Sequence, residues 1–171
     1  MIYVNDILVT EEVTLELAEK ALKVYLATEK LVVTGPNEEL LSEQEIEQVL
    51  VKFPATIKLV AIGSSKLLMD FKEELHTYIL KVRAYIETAR ETEDFSSMMT
   101  SFIQVTEALI EFEAVANFLG KKLIDQEQIQ TISIKALEQV EEGNIDYILD
   151  LMEYELLPIL QHFIDETNMV M

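Results

Sequence analysis

The chain has 171 residues, of which 50% are hydrophobic and 26% charged, so it contains enough apolar material for a folded core and is not wholly disordered. Its formal net charge of −19 disfavours binding to nucleic acids and to anionic lipids, because their phosphates carry the same sign. The absence of cysteine excludes disulfides, thiolate metal sites and cysteine nucleophiles.

The first 63 residues predict a small α+β module. Residues 2–9 (IYVNDILV) place Asn5 and Asp6 between two short β-favouring runs, a pattern typical of a two-residue hairpin turn. Thr14 is the predicted N-cap of a helix that extends to Thr28. The predicted inner face of this helix consists of Leu17, Ala18, Ala21, Leu22 and Tyr25.

Three further elements complete the predicted module. Residues 31–33 (LVV) predict a strand, and Ser42 and Glu45 have the spacing of a capping box that begins a short helix over 44–51. Residues 56–62 (TIKLVAI) form the clearest strand of the chain. Because residues 63–65 (GSS) then interrupt the pattern, we expect two domains, 1–63 and 66–171.

Beyond residue 65 the apolar spacing becomes helical. A long helix is predicted up to about residue 90, and Asp94 is the predicted cap of a second helix whose wide apolar face includes Met98 and Met99. A third helix begins after Asp125 and ends at Gly143, and a fourth follows directly. Four helices joined by short turns predict an antiparallel four-helix bundle, so the expected fold class is α+β and mostly helical.

The last helix carries more apolar surface than a single buried stripe requires. One stripe contains Ile145, Ile148, Met152, Leu156, Ile159 and Phe163, and a neighbouring stripe contains Tyr147, Leu151, Tyr154 and Leu157. Pro158 cannot donate a hydrogen bond to the carbonyl of Tyr154, so we expect a kink or break there. Two interpretations stay open: either the helix is central in the bundle, or its second stripe binds a partner or a second copy.

Carboxylates and histidines suggest a second class of site. Glu73 and His76 form half of the Glu-x-x-His pattern of di-iron bundles, but Ile159 stands three residues before the other histidine, His162, so the second half is missing. Asp146, Asp150, Glu153 and Glu155 form a row near the C-terminus that we interpret as solvated surface, because the sequence has no D-x-D-x-D-G cation loop. Glu113 borders an apolar stripe and is expected to be partly buried.

Motifs for catalysis are absent from the sequence. It contains no G-x-S-x-G nucleophile elbow, no phosphate-binding G-x-x-x-x-G-K loop and no G-x-G-x-x-G dinucleotide motif. No apolar run approaches the 18 residues of a membrane span. We therefore expect a cytoplasmic protein that is not an enzyme and has no cofactor.

Four segments carry a resemblance to known sequences: 2–6 (IYVND), 42–46 (SEQEI), 142–144 (EGN) and 154–158 (YELLP). They resemble a group of uncharacterised bacterial proteins that pair a small α+β head with a helical tail. The resemblance implies this two-part fold and no activity, since the matching residues belong to turns, caps and core positions. Asp6 stands where such a hairpin is expected to have glycine, which leaves the turn type open.

These observations predict a non-catalytic protein-interaction module, similar in general profile to export chaperones or to adaptor proteins. The predicted contact residues are Tyr147, Leu151, Tyr154 and Leu157, followed by Met98 and Met99. The expected partner is another protein or a second copy, as in a homodimer, and neither nucleic acid nor membrane. The alternative is a small-ligand or metal-binding bundle that uses Glu73, His76 and the carboxylates of the last helix.

Overall fold

The computed structural model describes residues 1–169 of the chain. The chain divides into two compact units, Met1–Met69 and Asp70–Met171. Residues 170 and 171, which belong to the predicted second domain, lie outside the described residues. The predicted α+β class, with a small sheet at the N-terminus followed by helices, is confirmed; the domain limits 1–63 and 66–171 stay a prediction.

The first unit contains a four-stranded sheet. Its strands are β1 (Ile2–Val4), β2 (Ile7–Thr10), β3 (Leu31–Thr34) and β4 (Ile57–Gly63). Their order in the sheet is β2-β1-β4-β3, with β1 parallel to β4 and the other neighbours antiparallel. Two helices belong to the same unit, α1 (Leu15–Glu29) and α2 (Glu43–Leu50).

One face of the sheet packs against these two helices. Alternation along β4 buries Ile57, Leu59 and Ala61, while Lys58 and Val60 between them are exposed. The buried side chains form one core with residues of the other strands and of both helices: Ile2, Val4, Val33, Ala18, Leu22 and Leu50. Leu17 was predicted on the inner face of α1, and this is wrong, because its side chain is 49% exposed. It lies about 100° around the helix from the buried Ala18.

The β1–β2 hairpin turns at Asn5 and Asp6, as predicted. Their φ angles are 49° and 62°, and two successive positive φ values are those of a type I′ turn. The Asn5 side chain also accepts the backbone N–H of Ala61 and donates to the Ala61 carbonyl, both at 2.9 Å. The turn is therefore attached to β4, a strand more than fifty residues away in sequence.

Helix α2 begins with the predicted capping box. The Ser42 hydroxyl accepts the Glu45 backbone N–H at 3.3 Å, and the Glu45 carboxylate accepts the Ser42 N–H at 2.8 Å. These two bonds satisfy donors that have no partner within the first helical turn. The local sequence is sufficient to fix this helix start.

The second unit is helical within the described residues. Its elements are α3 (Ser64–Thr92, which begins in the first unit), α4 (Met98–Phe118), α5 (Gln126–Glu141), α6 (Tyr147–Leu151), a π-helical turn (Met152–Leu156) and α7 (Leu157–Met169). Asp94 is not the N-cap of α4 as predicted, because the helix begins after Ser97. The Asp94 carboxylate instead accepts hydrogen bonds from the N–H and the hydroxyl of Ser96 in the preceding turn. Helix α5 ends as predicted, with Gly143 at φ 83° and the Asn144 N–H bonded to the Gln139 carbonyl.

The last helical stretch changes its hydrogen-bond register before Pro158. The N–H of Leu157 bonds to the carbonyl of Met152, five residues earlier, instead of four. Because proline has no N–H, the regular pattern cannot continue through residue 158, and the π-helical turn takes up the irregularity without ending the helix. The disturbance predicted at this position is therefore a change of register.

Aromatic contacts join three helices of the second unit. The Phe71 ring on α3 lies 5.9 Å from that of Phe112 on α4 and 5.5 Å from that of Phe163 on α7, measured between ring centroids. All three side chains are buried. Tilted and edge-on ring pairs at these distances add to the free energy of apolar burial.

Candidate functional site

A groove runs between α3 and α4 of the second unit, and we call it the α3–α4 groove. Its first stretch is a depression of about 440 Å³, bordered on α3 by Asp70, Glu73, Glu74, Thr77, Tyr78 and Lys81 and on α4 by Phe112. The second stretch, of about 290 Å³, is bordered by Tyr78, Lys81, Val82, Tyr85, Ser101, Gln104, Val105, Ala108 and Met152. Since Tyr78 and Lys81 border both, the two stretches adjoin.

The groove follows from the spacing of side chains on α3. Residues 71, 75, 79, 82 and 86 are buried, while residues 78 and 85 are half-buried at the edge of the same stripe. Positions seven apart lie almost in line along a helix, so Tyr78 and Tyr85 stand on the same side of α3 beside the core. These two tyrosines line one wall of the groove.

Tyr78 lies where the two stretches meet. Its ring is 5.3 Å from that of Phe112 in an edge-on arrangement. Burial raises the pKa of the Tyr78 hydroxyl, and the negative charge of Glu111 raises it further. The hydroxyl therefore stays protonated at neutral pH and offers a polar hydrogen-bonding group beside the apolar ring of Phe112.

The π-helical turn supplies the floor of the second stretch. Met152, the first residue of that turn, is fully buried within the unit and still borders the groove. The next residue, Glu153, accepts from Arg90 Nη1 at 2.5 Å, and Arg90 Nη2 lies 2.7 Å from Asp150 Oδ1. The hydrogen bond to Glu153 is the main cause that raises the pKa of Arg90. Arg90 thus joins α3 to the irregular turn through Glu153 and to the end of α6 through Asp150.

A second exposed apolar feature lies on α4. Ile103 and Ile110 are 47% and 56% exposed, and Met99 is half-buried on the same line. The other side of α4 buries a full core stripe that includes Phe102 and Leu109. This helix is therefore apolar on more of its surface than the unit itself covers.

The structure separates the six predicted contact residues. Tyr154 is 67% exposed, Tyr147 is 38% exposed and Met99 is half-buried. By contrast, Leu151, Leu157 and Met98 are at most 1% exposed. Leu151 and Leu157 are core residues because the last helical stretch packs on more than one side, and Met98 belongs to the buried stripe of α4. The six residues therefore do not form one exposed surface. The partner-binding role of the exposed residues stays a prediction.

Three of the carboxylates singled out in the sequence pair with basic side chains. Asp150 and Glu153 pair with Arg90, and Glu155 lies 3.1 Å from Lys135 Nζ on α5. His76 is exposed on α3 beside Glu73. Within residues 1–169, no three side chains of His, Asp or Glu are grouped so that they could hold a metal ion.

Glu113 has a structural partner that sequence reasoning did not name. Its carboxylate oxygen Oε2 accepts the backbone N–H groups of Leu123 and Ile124, at 2.8 and 3.0 Å. These N–H groups belong to the connection between α4 and α5, and both residues are buried. The carboxylate therefore serves as the hydrogen-bond acceptor for two backbone N–H groups, a role that backbone carbonyls have in helices and sheets.

Comparisons with known proteins identify no relative of this chain. No family model matches the chain, and neither the curated proteins nor the solved structures yield a match. In the part of the chain that the structure describes, no helix combines the length and the apolar character needed to cross a bilayer.

Proposed function

We propose that this protein is a non-catalytic protein-interaction module that holds an apolar helical segment of another protein in the α3–α4 groove. The observation that carries the proposal is the groove itself, an apolar channel bordered by Tyr78, Tyr85 and Met152. Binding of the apolar face of an amphipathic helix in a groove is a recurring mode of protein recognition, and it fits an export-chaperone-like or adaptor role.

The dimensions of the groove suit a helix. Its residues on α3 run from Asp70 to Tyr85, which at 1.5 Å per residue corresponds to roughly 22 Å, or about four helical turns. A partner helix of that length presents apolar side chains at i, i+3, i+4 and i+7 to one face. The groove is thus long enough for several anchors and open enough for a backbone to lie along it.

The chemistry of the lining also suits a protein ligand. Tyrosine combines a large apolar ring with a polar tip and is enriched in protein interfaces. Asp70, Glu73 and Glu74 border one end, so a partner helix with basic residues near that end has complementary charge.

The proposal includes the finer arrangement of the second unit and the location of the protein. We propose that α3, α4, α5 and the stretch from α6 to α7 form an antiparallel four-helix bundle. The ring contacts of Phe71 and the ion pairs of Arg90 and Lys135 across helices support this arrangement. We also propose that the protein acts in the cytoplasm.

The proposal is tested by site-specific photo-crosslinking in the native host. A photoreactive phenylalanine analogue is placed at Ala108, which lines the groove on α4, and in a matched variant at the exposed Ala114. The two positions are six residues apart and point about 120° apart around the helix. Adducts are identified by mass spectrometry. Ser101→Trp, which fills the same stretch of the groove, is combined with the analogue at position 108 to block partner binding.

We expect one protein to crosslink at position 108, to be absent from the adducts at position 114, and to be lost when Trp occupies the groove. An adduct between two copies of this chain at position 108 would show that the groove binds a second copy, as in a homodimer, and not a different protein. Adducts only at position 114, which lies near the exposed Ile110, would move the binding surface to the other side of α4 and overturn the proposal. The absence of adducts at both positions would also overturn it.

A further inference from the structure

A second groove lies in the first unit between α1 and α2, and we call it the α1–α2 groove. Its volume is about 280 Å³. The apolar part is formed by Leu22 and Leu26 of α1 and by Ile46 and Leu50 of α2. In each helix the two side chains are four residues apart, so both helices present a matched apolar pair to the same channel.

The four apolar residues differ in exposure, and this difference determines which of them can contact a ligand. Leu22 and Leu50 are almost fully buried and belong to the core of the unit. Leu26 and Ile46 are half-buried and pack against that core from the groove side. Their free surface lies over a packed core, so an incoming apolar side chain finds a preformed contact surface. The volume is just below the range of small-molecule pockets, so the groove suits anchor side chains of a larger partner.

Charged residues surround the apolar part unevenly. Glu19, Glu43 and Glu47 face one cation, Lys23. Lys23 Nζ lies 2.8 Å from Glu19 Oε1 within α1. The hydrogen bond to Glu19 raises the pKa of Lys23, and the charges of Glu43 and Glu47 on α2 raise it further. Within residues 1–169, Glu43 and Glu47 make no ion pair of their own.

We infer that the α1–α2 groove binds a basic amphipathic helix of a partner protein, with apolar side chains over Leu26 and Ile46 and a lysine or arginine at Glu43 and Glu47. Charge complementarity selects this occupant. A second copy of the chain is disfavoured, because each copy carries a net charge of −19. The inference goes beyond the proposed function, since it assigns a binding surface to the first unit that does not depend on the α3–α4 groove.

The probes for this inference are two synthetic helical peptides. Both carry the same leucine face, and their polar faces consist of lysine in one and glutamate in the other. Binding to the full-length protein is measured by fluorescence anisotropy at low and at high salt. Amide and methyl NMR shifts then locate the peptide on the protein. The variant is Glu43→Gln with Glu47→Gln, and the control is Glu87→Gln with Glu91→Gln, which changes the net charge equally at exposed positions of α3.

We expect the lysine peptide to bind, with shifts centred on Leu26 and Ile46, and the glutamate peptide not to bind. The α2 variant should weaken binding about five- to tenfold, as expected for two solvent-exposed ion pairs, and the control by less than about twofold. Ser101→Trp, which blocks the α3–α4 groove, should leave binding unchanged and so separates this site from that groove. Equal weakening by variant and control would show only nonspecific attraction to an acidic protein and would overturn the inference. Shifts located away from α1 and α2, or no binding of either peptide, would overturn it as well.

Discussion

Arg90 on α3 and Glu153 in the π-helical turn form a hydrogen-bonded ion pair, with 2.5 Å between Nη1 and Oε2. The same guanidinium reaches Asp150 at 2.7 Å. One side chain thereby joins α3 to the irregular turn that brings Met152 to the floor of the α3–α4 groove. The planar guanidinium suits this role, because it donates to two carboxylates at once.

Replacement of Arg90 by glutamine tests this link. The substitution removes both ion pairs and leaves Asp150 and Glu153 to repel each other. Because the paired side chains are between 30% and 50% exposed, we expect the free energy of unfolding to fall by only about 0.5–1 kcal/mol. Urea unfolding at low salt measures the loss, which should shrink at high salt. Arg83→Gln, at an exposed position without an ion pair within residues 1–169, is the control; an equal loss there would contradict the assignment.

Leu151 and Tyr154 provide a direct test of which side of the last helix is core. Leu151 is 1% exposed and Tyr154 is 67% exposed. We expect Leu151→Ala to lower the free energy of unfolding by about 2–5 kcal/mol, because it removes buried methyl groups and leaves a cavity. Tyr154→Ala should change it by less than about 0.5 kcal/mol. Chemical denaturation monitored by circular dichroism measures both, and a larger loss for Tyr154 would refute the described packing.

Glu113 should contribute to stability through its two backbone hydrogen bonds. In Glu113→Ala, the N–H groups of Leu123 and Ile124 lose their acceptor inside a partly buried loop, and we expect a loss of about 1–3 kcal/mol. Glu113→Gln keeps an acceptor oxygen, so its free energy of unfolding should fall by less. Faster amide hydrogen exchange at residues 123 and 124 in the alanine variant would locate the effect. Glu107→Ala, at an exposed position of α4, is the control and should leave that exchange unchanged.

The capping box of α2 predicts a pH dependence. The Ser42 N–H, and next the Ser42 hydroxyl, hold the pKa of Glu45 below its ordinary value of 4.5. A carboxylate with a lowered pKa in the folded state stabilises fully above its unfolded pKa, and this contribution is lost as the pH falls through the folded-state value. The difference in Tm between the wild type and Glu45→Ala should therefore be largest at neutral pH and decrease towards strongly acidic pH. Thermal unfolding by circular dichroism across this range measures the difference.

Gln44→Ala is the matched control for this pH series, since residue 44 is an exposed and uncharged position of the same helix. Its effect on Tm should not change with pH. A Glu45→Ala difference that is constant from neutral to acidic pH would show that the carboxylate charge is not involved in the cap.

Sequence by itself determined the local elements of this protein. The Asn5–Asp6 turn, the Ser42–Glu45 capping box, the Gly143 helix end and the disturbance before Pro158 all lie where the residues predict them. Each depends on backbone angles and hydrogen bonds within a few residues, so short segments contain the necessary information. The overall class, a small sheet followed by helices, follows from the periodicities of those segments.

The tertiary structure alone decided which apolar and polar side chains face solvent. Leu151 and Tyr154 look equally suited to a surface stripe in the sequence, yet one is core and the other exposed, because burial depends on how many neighbours a helix has. The attachment of Asn5 to Ala61, the acceptor role of Glu113 and both grooves arise from residues that are distant along the chain or lie on different helices. Such pairings leave no periodic signal, since each partner satisfies its own local rules wherever the other is placed.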